Sequence, residues 1–446
     1  MVVQWELILA LLIGISAVVL LIMKTKVQAF PALLISAMLV GVIAQMPLED
    51  IVATVTRGFG NTLGSIGIII GLGVMMGRVL EKTGAAKRMA LTILKLFGIA
   101  RADVVLALSG YLVSIPVFCD SGFVILSALA KEFSRITKKS MVLMGCSLGF
   151  GLLLTHHLVP PTPGPLAVAG LLGVDIGMFI LWGASLALII LTLMIPIVRA
   201  IAKRNLVIIP EDTDTAAARA VDIAGFDEKN LPGTLISFAP IIVPLLMILT
   251  KTVTSAAGLE IPLVALLCDP VPAVTAGMLI AVYGLMYKEP RQSAVKLLED
   301  SLGEAGLIIL ITGAGGALGQ VLRDSGIGAH VAEIIQFSGF PAILLPLVMA
   351  SLLKLSQGSG TVAMITTASI LAPMIESGSL NLSALVCALA ICVGSMCASY
   401  FNDSYFWVVT RFSGMDVKTG VKTWTLTSAL MGLIGSVIVI VLSLFI

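Results

Sequence analysis

The sequence has little charge, few aromatic residues and only three histidines. Lysine, arginine, aspartate and glutamate together supply 12% of its 446 residues, whereas about a quarter is usual in soluble domains. Aromatic residues supply 6% and hydrophobic residues 58%. This composition excludes a water-soluble globular fold. We expect no nucleic-acid partner, no cofactor and no enzymatic activity.

Cysteine is scarce as well, and its placement indicates neither a disulfide framework nor a metal site. All six cysteines lie in apolar stretches that lack the spacing of metal ligands. They are Cys119, Cys146, Cys268, Cys387, Cys392 and Cys397. We interpret them as small buried apolar residues.

Long apolar runs are what the chain has in abundance, and each can cross a hydrocarbon core of roughly 30 Å as a helix. They include residues 7–23, 27–46, 63–80, 177–198, 235–250 and 425–446. No segment alternates like a barrel strand, so the spanning segments are predicted to be helical. The first run has neither a basic segment before it nor a cleavage site after it, which predicts a retained spanning helix.

The distribution of basic residues predicts the topology. We place ten spanning helices and two re-entrant hairpins, at about 102–130 and 341–375, with the N-terminus outside. One face then collects 22 of the 27 lysines and arginines, and the other collects only Arg57, Lys251 and Arg323. By the positive-inside rule the basic face is cytoplasmic. Both termini are therefore predicted to be periplasmic.

The two halves of the chain resemble each other. The segment 71–84, with glycines at both ends and at 73 and 77, matches 313–326 at an offset of 242. Further along, Cys-Asp-Ser-Gly at 119–122 matches Gln-Gly-Ser-Gly at 357–360 at an offset of 238. The shared order of features along both halves indicates an internal duplication.

The predicted fold is an all-α membrane protein of two inverted repeats, an architecture of many secondary transporters. The first repeat covers 1–198, with spans 1 to 5 and the hairpin 102–130. The second covers 234–446, with spans 6 to 10 and the hairpin 341–375. Each half has an odd number of spans, so the halves point in opposite directions. The polar segment 199–233 is predicted to be a cytoplasmic linker.

Polar or helix-ending residues interrupt the apolar helices at 118–122, 155–165, 356–361 and 400–405. In an inverted-repeat transporter such interruptions indicate a binding site near the membrane centre. The candidate substrate-binding residues are Asp120, Ser121, Gly122, His157, Thr162, Lys354, Gln357, Ser359, Gly360, Thr361, Asn402, Asp403 and Ser404. The candidate proton-coupling residues are Asp120, His156, His157 and Asp403.

The two hairpin tips offer groups that bind anions. A hairpin that turns inside the membrane leaves free N–H groups at the start of its returning helix, and such helix starts attract carboxylates. We expect Ser121 and Gly122 on one tip, and Ser359, Gly360 and Thr361 on the other, to supply these donors. The alternative is that the glycines only permit a tight turn.

The charged residues Asp120, Asp403 and Lys354 lie in segments that are predicted to be inside the membrane. A carboxylate at the centre of a spanning helix costs roughly 2.5 to 3.5 kcal/mol, so Asp120 or Asp403 is a candidate proton carrier. The alternative is a permanent helix cap or ion pair, for instance between Asp120 and Lys354. Lys354 could instead face a substrate carboxylate directly or extend towards the membrane interface.

The histidines precede a proline-rich break, and we expect at most one of His156 and His157 to titrate or to donate to a substrate hydroxyl. A purely structural histidine is the alternative. The residues Asn402, Asp403 and Ser404 offer amide, carboxylate and hydroxyl groups suited to several sugar hydroxyls.

These interruptions resemble the gluconate permease family of proton symporters, within the wider ion transporter superfamily, and the resemblance runs over essentially the whole chain. It is carried by residues 115–123, 157–165, 356–363 and 402–407. The resemblance implies proton-driven uptake of gluconate or a similar sugar acid or hydroxycarboxylate across a bacterial inner membrane. It further implies an elevator-type movement of the hairpins and, by analogy with such carriers, a homodimer.

Three other functions stay open at this point. One is a sodium-coupled carrier of dicarboxylates or lactate-like anions. Another is an intramembrane hydrolase that uses Ser121 with His156, and the third is a passive channel. A duplicated architecture has no evident purpose in a protease, which favours a carrier.

Overall fold

The computed structural model describes residues 5–24, 27–204, 231–259, 261–327, 341–378, 380–400 and 403–445. Within these ranges every regular element is a helix. The first half contains α1 Trp5–Lys24, α2 Ala29–Ile43, α3 Leu48–Lys82, α4 Ala85–Phe97, α5 Ala102–Val113, α6 Cys119–Thr137, α7 Met141–Leu158, α8 Pro163–Leu172 and α9 Ile176–Arg204. The second half contains α10 Thr234–Ala256, α11 Pro262–Leu267, α12 Pro270–Leu285, α13 Arg291–Asp324, α14 Leu344–Gln357, α15 Gly360–Glu376, α16 Ala384–Gly394, α17 Ser404–Phe412 and α18 Val417–Leu442.

Six helical segments in the described part of the chain are long and apolar enough to cross a membrane. They are Leu48–Lys82, Met141–Leu172, Ile176–Lys203, Thr234–Ser255, Arg291–Asp324 and Val417–Leu442. Shorter apolar helices of 10 to 17 residues accompany them. The all-helical membrane class is confirmed, and the number of ten spans stays a prediction.

The long helices α3 and α13 pack along each other, and small residues permit their close approach. A side-chain carbon at Gly58 would lie 2.6 Å from the carbonyl oxygen of Gly316 and 3.0 Å from the Cα of Ala317. Glycine at this position therefore lets the two backbones touch. At one end of this contact the Arg57 guanidinium lies 2.6 Å from the Asp324 carboxylate.

The segment α7–α8 forms the centre of the molecule. In its apolar 18-residue stretch 94% of the residues are buried, in contrast to 33% in the corresponding stretch of α18. The helix α7 packs against α5, α6 and α9, whereas α8 packs against α15 and α16. A helix that is apolar all round is expected in such an enclosed place. Its break, between Leu158 and Pro163, therefore lies inside the protein.

Breaks between consecutive helices fall at or next to the predicted interruptions. They lie at 114–118 between α5 and α6, 159–162 between α7 and α8, 358–359 between α14 and α15, and, among the described residues, 395–400 and 403 between α16 and α17. The predicted interruption 118–122 overlaps its break only at Phe118, because α6 already begins at Cys119. The helix α9 continues to Arg204, past the predicted end of the first repeat at 198, because its residues stay helix-forming there. Most of the predicted linker lies outside the described residues.

Candidate functional site

A polar cavity of about 280 Å³ lies where α6, α15 and α17 begin and where α7 and α14 end. Five helix termini thus meet at one place. The cavity is lined by Cys119, Asp120, Leu153, His156, His157, Lys354, Gly358, Ser359, Gly360, Thr361, Asp403, Ser404 and Tyr405. Nine of the fourteen candidate residues from the sequence are among them.

Asp120 lies in the first turn of α6 and lines this cavity. Its carboxylate accepts a long hydrogen bond of 3.4 Å from the Ser404 hydroxyl, and the Cys119 thiol lies 3.6 Å away. Among the described residues, no lysine, arginine or histidine forms an ion pair with it. Asp120 is thus a carboxylate at the cavity without a cationic partner in that part of the chain.

Lys354 lies in the last turn of α14, and its side chain reaches the break between α14 and α15. Gly358, in the left-handed conformation at φ 81°, ends α14, and its N–H donates to the carbonyl of Lys354 at 2.9 Å. The Lys354 ammonium in turn donates to the Gly358 carbonyl at 2.5 Å and to the Asp403 carboxylate at 2.7 Å. The ion pair of Lys354 is therefore with Asp403, and the suggested pair with Asp120 is wrong, because the start of α17 lies closer to the ammonium.

Asp403 is held by a network of donors. One oxygen accepts from the Ser399 hydroxyl at 2.5 Å and from Lys354, and the other accepts from the backbone N–H of Tyr405 at 3.1 Å, which caps α17. The indole of Trp424 donates to the Ser399 hydroxyl at 2.9 Å. These contacts match the alternative of a permanent ion pair and cap, and they join α14, α17 and α18.

The first turn of α15 faces the same cavity. Ser359 is its N-cap, and its hydroxyl accepts from the N–H of Val362 at 3.3 Å. Gly360 and Thr361 follow and line the cavity. Because the first N–H groups of a helix have no partner within the helix, this end carries donors and a partial positive charge.

The two histidines close the cavity from α7. His157 is 3% exposed, and its Nδ1 lies 3.1 Å from the carbonyl oxygen of Leu153. The His156 ring packs against Phe118 at 5.8 Å and edge-on against His157 at 5.4 Å between centroids. His156 Nδ1 and His157 Nε2 are buried without a hydrogen-bond partner in the described chain.

Five candidates do not line the cavity or cannot be placed there. The N–H of Gly122 already donates to the Phe118 carbonyl at 2.8 Å, so the expected free donor is absent. Ser121 also lies off the cavity lining. The Thr162 hydroxyl is buried and donates to the Val159 carbonyl at 2.6 Å. Thr162 is the last residue of the break before α8 begins at Pro163. The side chain of Gln357 and the whole of Asn402 lie outside the described residues.

Four residues that line the cavity are not among the predicted site residues: Cys119, Leu153, Gly358 and Tyr405. Leu153 precedes His157 by four residues, so helical spacing could have placed both on one face. The hydroxyl of Tyr405 donates to the Gly149 carbonyl at 3.0 Å. Nothing in the sequence pairs those two residues.

The cavity is lined by one ammonium, two carboxylates, two imidazoles and four hydroxyls, and three helices begin at it. Such a set suits a small anion that also carries hydroxyl groups. Among the described residues, no group of three His, Cys, Asp or Glu side chains is arranged to hold a metal ion.

An apolar helical protein with a polar cavity among interrupted helices belongs to the class of membrane transporters. Two solved structures share its fold. MtrF of Neisseria gonorrhoeae, from a class of antimetabolite efflux pumps, superposes with a TM-score of 0.65 at 14% identity, covering 90% of this chain and 85% of MtrF. The YdaH transporter of Alcanivorax borkumensis gives a TM-score of 0.61 at 18% identity and covers 89% of each chain.

Residues 6–445 match the model of the GntP family permease, and the chain belongs to this family. An uncharacterized permease of Haemophilus influenzae is 41% identical over 450 residues, which covers 98% of this chain and 92% of the relative. The gluconate permease of Pseudomonas aeruginosa is 34% identical and covers 98% of each chain. The inner membrane permease YgbN of Escherichia coli is 33% identical and covers 96% of each. The chain is thus a permease and not an enzyme.

Proposed function

We propose that this permease takes up gluconate or a related sugar acid or hydroxycarboxylate across the bacterial inner membrane, together with protons. The family and the names of several relatives support the substrate class. The cavity supports it independently, since it holds anion donors beside groups suited to hydroxyls. The observation that carries the coupling is that Asp120 has no cationic partner among the described residues, while the ammonium of Lys354 in the same cavity already has a carboxylate partner.

The substrate carboxylate is proposed to bind between Lys354 and the first N–H groups of α15. An ammonium has three N–H donors, of which two are accounted for by Gly358 and Asp403. The N–H groups of Gly360 and Thr361 lie at the same wall and favour an anion through the helix dipole.

Charge then explains why a proton accompanies the anion. With Lys354 and Asp403 paired, an ionised Asp120 gives the cavity a net negative charge, which opposes the entry of an anion. Protonation of Asp120 removes that repulsion, so anion and proton are proposed to bind together. His156 is the second candidate carrier, because its Nδ1 has no partner in the described chain.

Uptake of radiolabelled gluconate into proteoliposomes, with an imposed pH gradient and the membrane potential clamped, tests this proposal. Uptake is expected to require an acidic outer compartment, and Asp120→Asn is expected to abolish that requirement while exchange of internal for external gluconate continues. Indifference of the unmodified protein to the gradient would remove proton coupling. Dependence on sodium in the same vesicles would support a sodium-coupled carboxylate carrier instead.

The architecture from the sequence is proposed alongside the function. We retain two inverted repeats, 1–198 and 234–446, a cytoplasmic linker 199–233, ten spans, two re-entrant hairpins, periplasmic termini and an elevator-type movement. A reporter enzyme that is active only in the periplasm, fused to either end, is expected to be active in both fusions. The proposed homodimer is tested by the mass of the purified protein in nanodiscs.

A further inference from the structure

The ring of His157 has a defined hydrogen position. A carbonyl oxygen can only accept, so the contact of 3.1 Å between Nδ1 and Leu153 places the hydrogen on Nδ1. In a neutral imidazole the other nitrogen is then an acceptor. His157 Nε2 therefore presents a lone pair and not an N–H group.

The surroundings favour the neutral ring. His157 is 3% exposed and shares the cavity wall with His156 and the Lys354 ammonium. No carboxylate of the described residues forms an ion pair with it. A second buried cation beside Lys354 would be costly without such a partner.

His157 Nε2 lies next to the start of α15, which is proposed to hold the substrate carboxylate. A side-chain carbon built on Gly360 would collide with His157 Nε2. The acceptor therefore lies beside the first residue of α15, within one residue of the anion-binding N–H groups. A group that donates to Nε2 must consequently be close to the bound carboxylate in the substrate.

From this geometry we infer that His157 Nε2 accepts a hydrogen bond from the hydroxyl on the carbon next to the substrate carboxylate. The inference rests on the proposed function and narrows its substrate class to 2-hydroxy acids. A buried acceptor without a partner is unfavourable, and this hydroxyl satisfies it. The role is that of an acceptor, opposite to the donor role considered from the sequence.

The inference makes a distinction among three related substrates. Gluconate carries the hydroxyl that donates to Nε2. Its 2-deoxy analogue lacks the hydroxyl and leaves Nε2 without a donor. Its 2-keto analogue has a carbonyl oxygen at that carbon, which is an acceptor like Nε2 and cannot donate to it. Both analogues keep the carboxylate and the rest of the chain, so the carboxylate contacts alone would not separate them from gluconate.

Competition against labelled gluconate in proteoliposomes tests the inference. With the unmodified protein, the 2-deoxy and 2-keto acids are expected to compete at least about tenfold more weakly than unlabelled gluconate. In His157→Phe, which keeps a ring but has no acceptor, the three competitors are expected to differ by less than about threefold. His156→Phe removes the neighbouring imidazole, and whatever its rate of uptake, it is expected to retain the preference for gluconate over the two analogues.

The outcomes separate this inference from the proposed function. Absence of gluconate uptake by the unmodified protein overturns both. Gluconate uptake that all three acids inhibit equally overturns only the role of His157, and no variant is needed for that result. Loss of the preference in His156→Phe, with retention in His157→Phe, would transfer the acceptor role to the neighbouring ring and overturn the assignment.

Discussion

Lys354 and Asp403 form an ion pair of 2.7 Å in which the side chains are only 3% and 7% exposed. The pair joins the end of α14 to the start of α17 across the cavity. Each member has further partners, since Lys354 donates to Gly358 and Asp403 accepts from Ser399 and the Tyr405 N–H. A buried pair with these additional hydrogen bonds fixes the relative position of two helix breaks.

Removal of one partner is therefore expected to destabilise the protein strongly. Lys354→Met leaves the Asp403 carboxylate buried without its cation, which costs roughly 3–5 kcal/mol. The double variant Lys354→Met with Asp403→Asn is expected to recover most of that loss, because no uncompensated charge is left and asparagine still caps α17. Thermal unfolding of detergent-purified protein measures both effects.

An exposed ion pair provides the control for this experiment. Arg323 and Glu376 lie 2.7 Å apart with side chains 39% and 47% exposed. Arg323→Gln is expected to change stability by less than about 1 kcal/mol. Equal stability of Lys354→Met and the unmodified protein would mean that the buried pair does not form in the membrane protein.

A methyl group at Gly360 is expected to disable the site without unfolding the protein. It would occupy the place of His157 Nε2 and push the imidazole away from the start of α15. Gly360→Ala is expected to lower gluconate uptake by more than tenfold while thermal stability changes little, because alanine favours a helix. Gly64→Ala is the control, since a side-chain carbon there meets open space.

The helix breaks were predictable because local chemistry produces them. Gly358 ends α14 in a conformation that glycine adopts without strain, and Pro163 opens α8, where its missing N–H is not needed. The family resemblance followed from the same segments. Position along the chain was thus enough to identify the region of the cavity.

The partners inside the cavity were not predictable in the same way. Lys354 and Asp403 are 49 residues apart, and their contact depends on how two helices approach in space. Gly122 likewise packs towards Leu152 of α7 and not towards the cavity. A sequence predicts which face of a helix points into the protein only when apolar residues are concentrated on one side of that helix. In α7 they are distributed on every side.

Uptake is expected to depend on pH through Asp120. A protonated Asp120 relieves the repulsion between the cavity and the substrate anion, so gluconate uptake should rise as the outer compartment becomes more acidic. In Asp120→Asn the side chain is neutral at every pH, and the profile should become flat. Asp50→Asn, on the exposed first turn of α3, should retain the profile of the unmodified protein. An unchanged profile in Asp120→Asn would transfer the coupling role to another group.

The contact between α3 and α13 provides a test of the fold that does not involve the cavity. Gly58→Ala is expected to destabilise the protein by about 1–3 kcal/mol, because the new methyl group would press on the backbone of Gly316 and Ala317, which cannot rotate away. Gly60→Ala, two residues further along the same helix, meets no atom within 4 Å. Its stability is expected to be unchanged or slightly raised by helix propensity. When the unfolding midpoints of the two variants are measured in parallel, the midpoint of Gly58→Ala should fall and that of Gly60→Ala should not. Similar midpoints for both would show that the two long helices are further apart than their glycine-mediated contact requires.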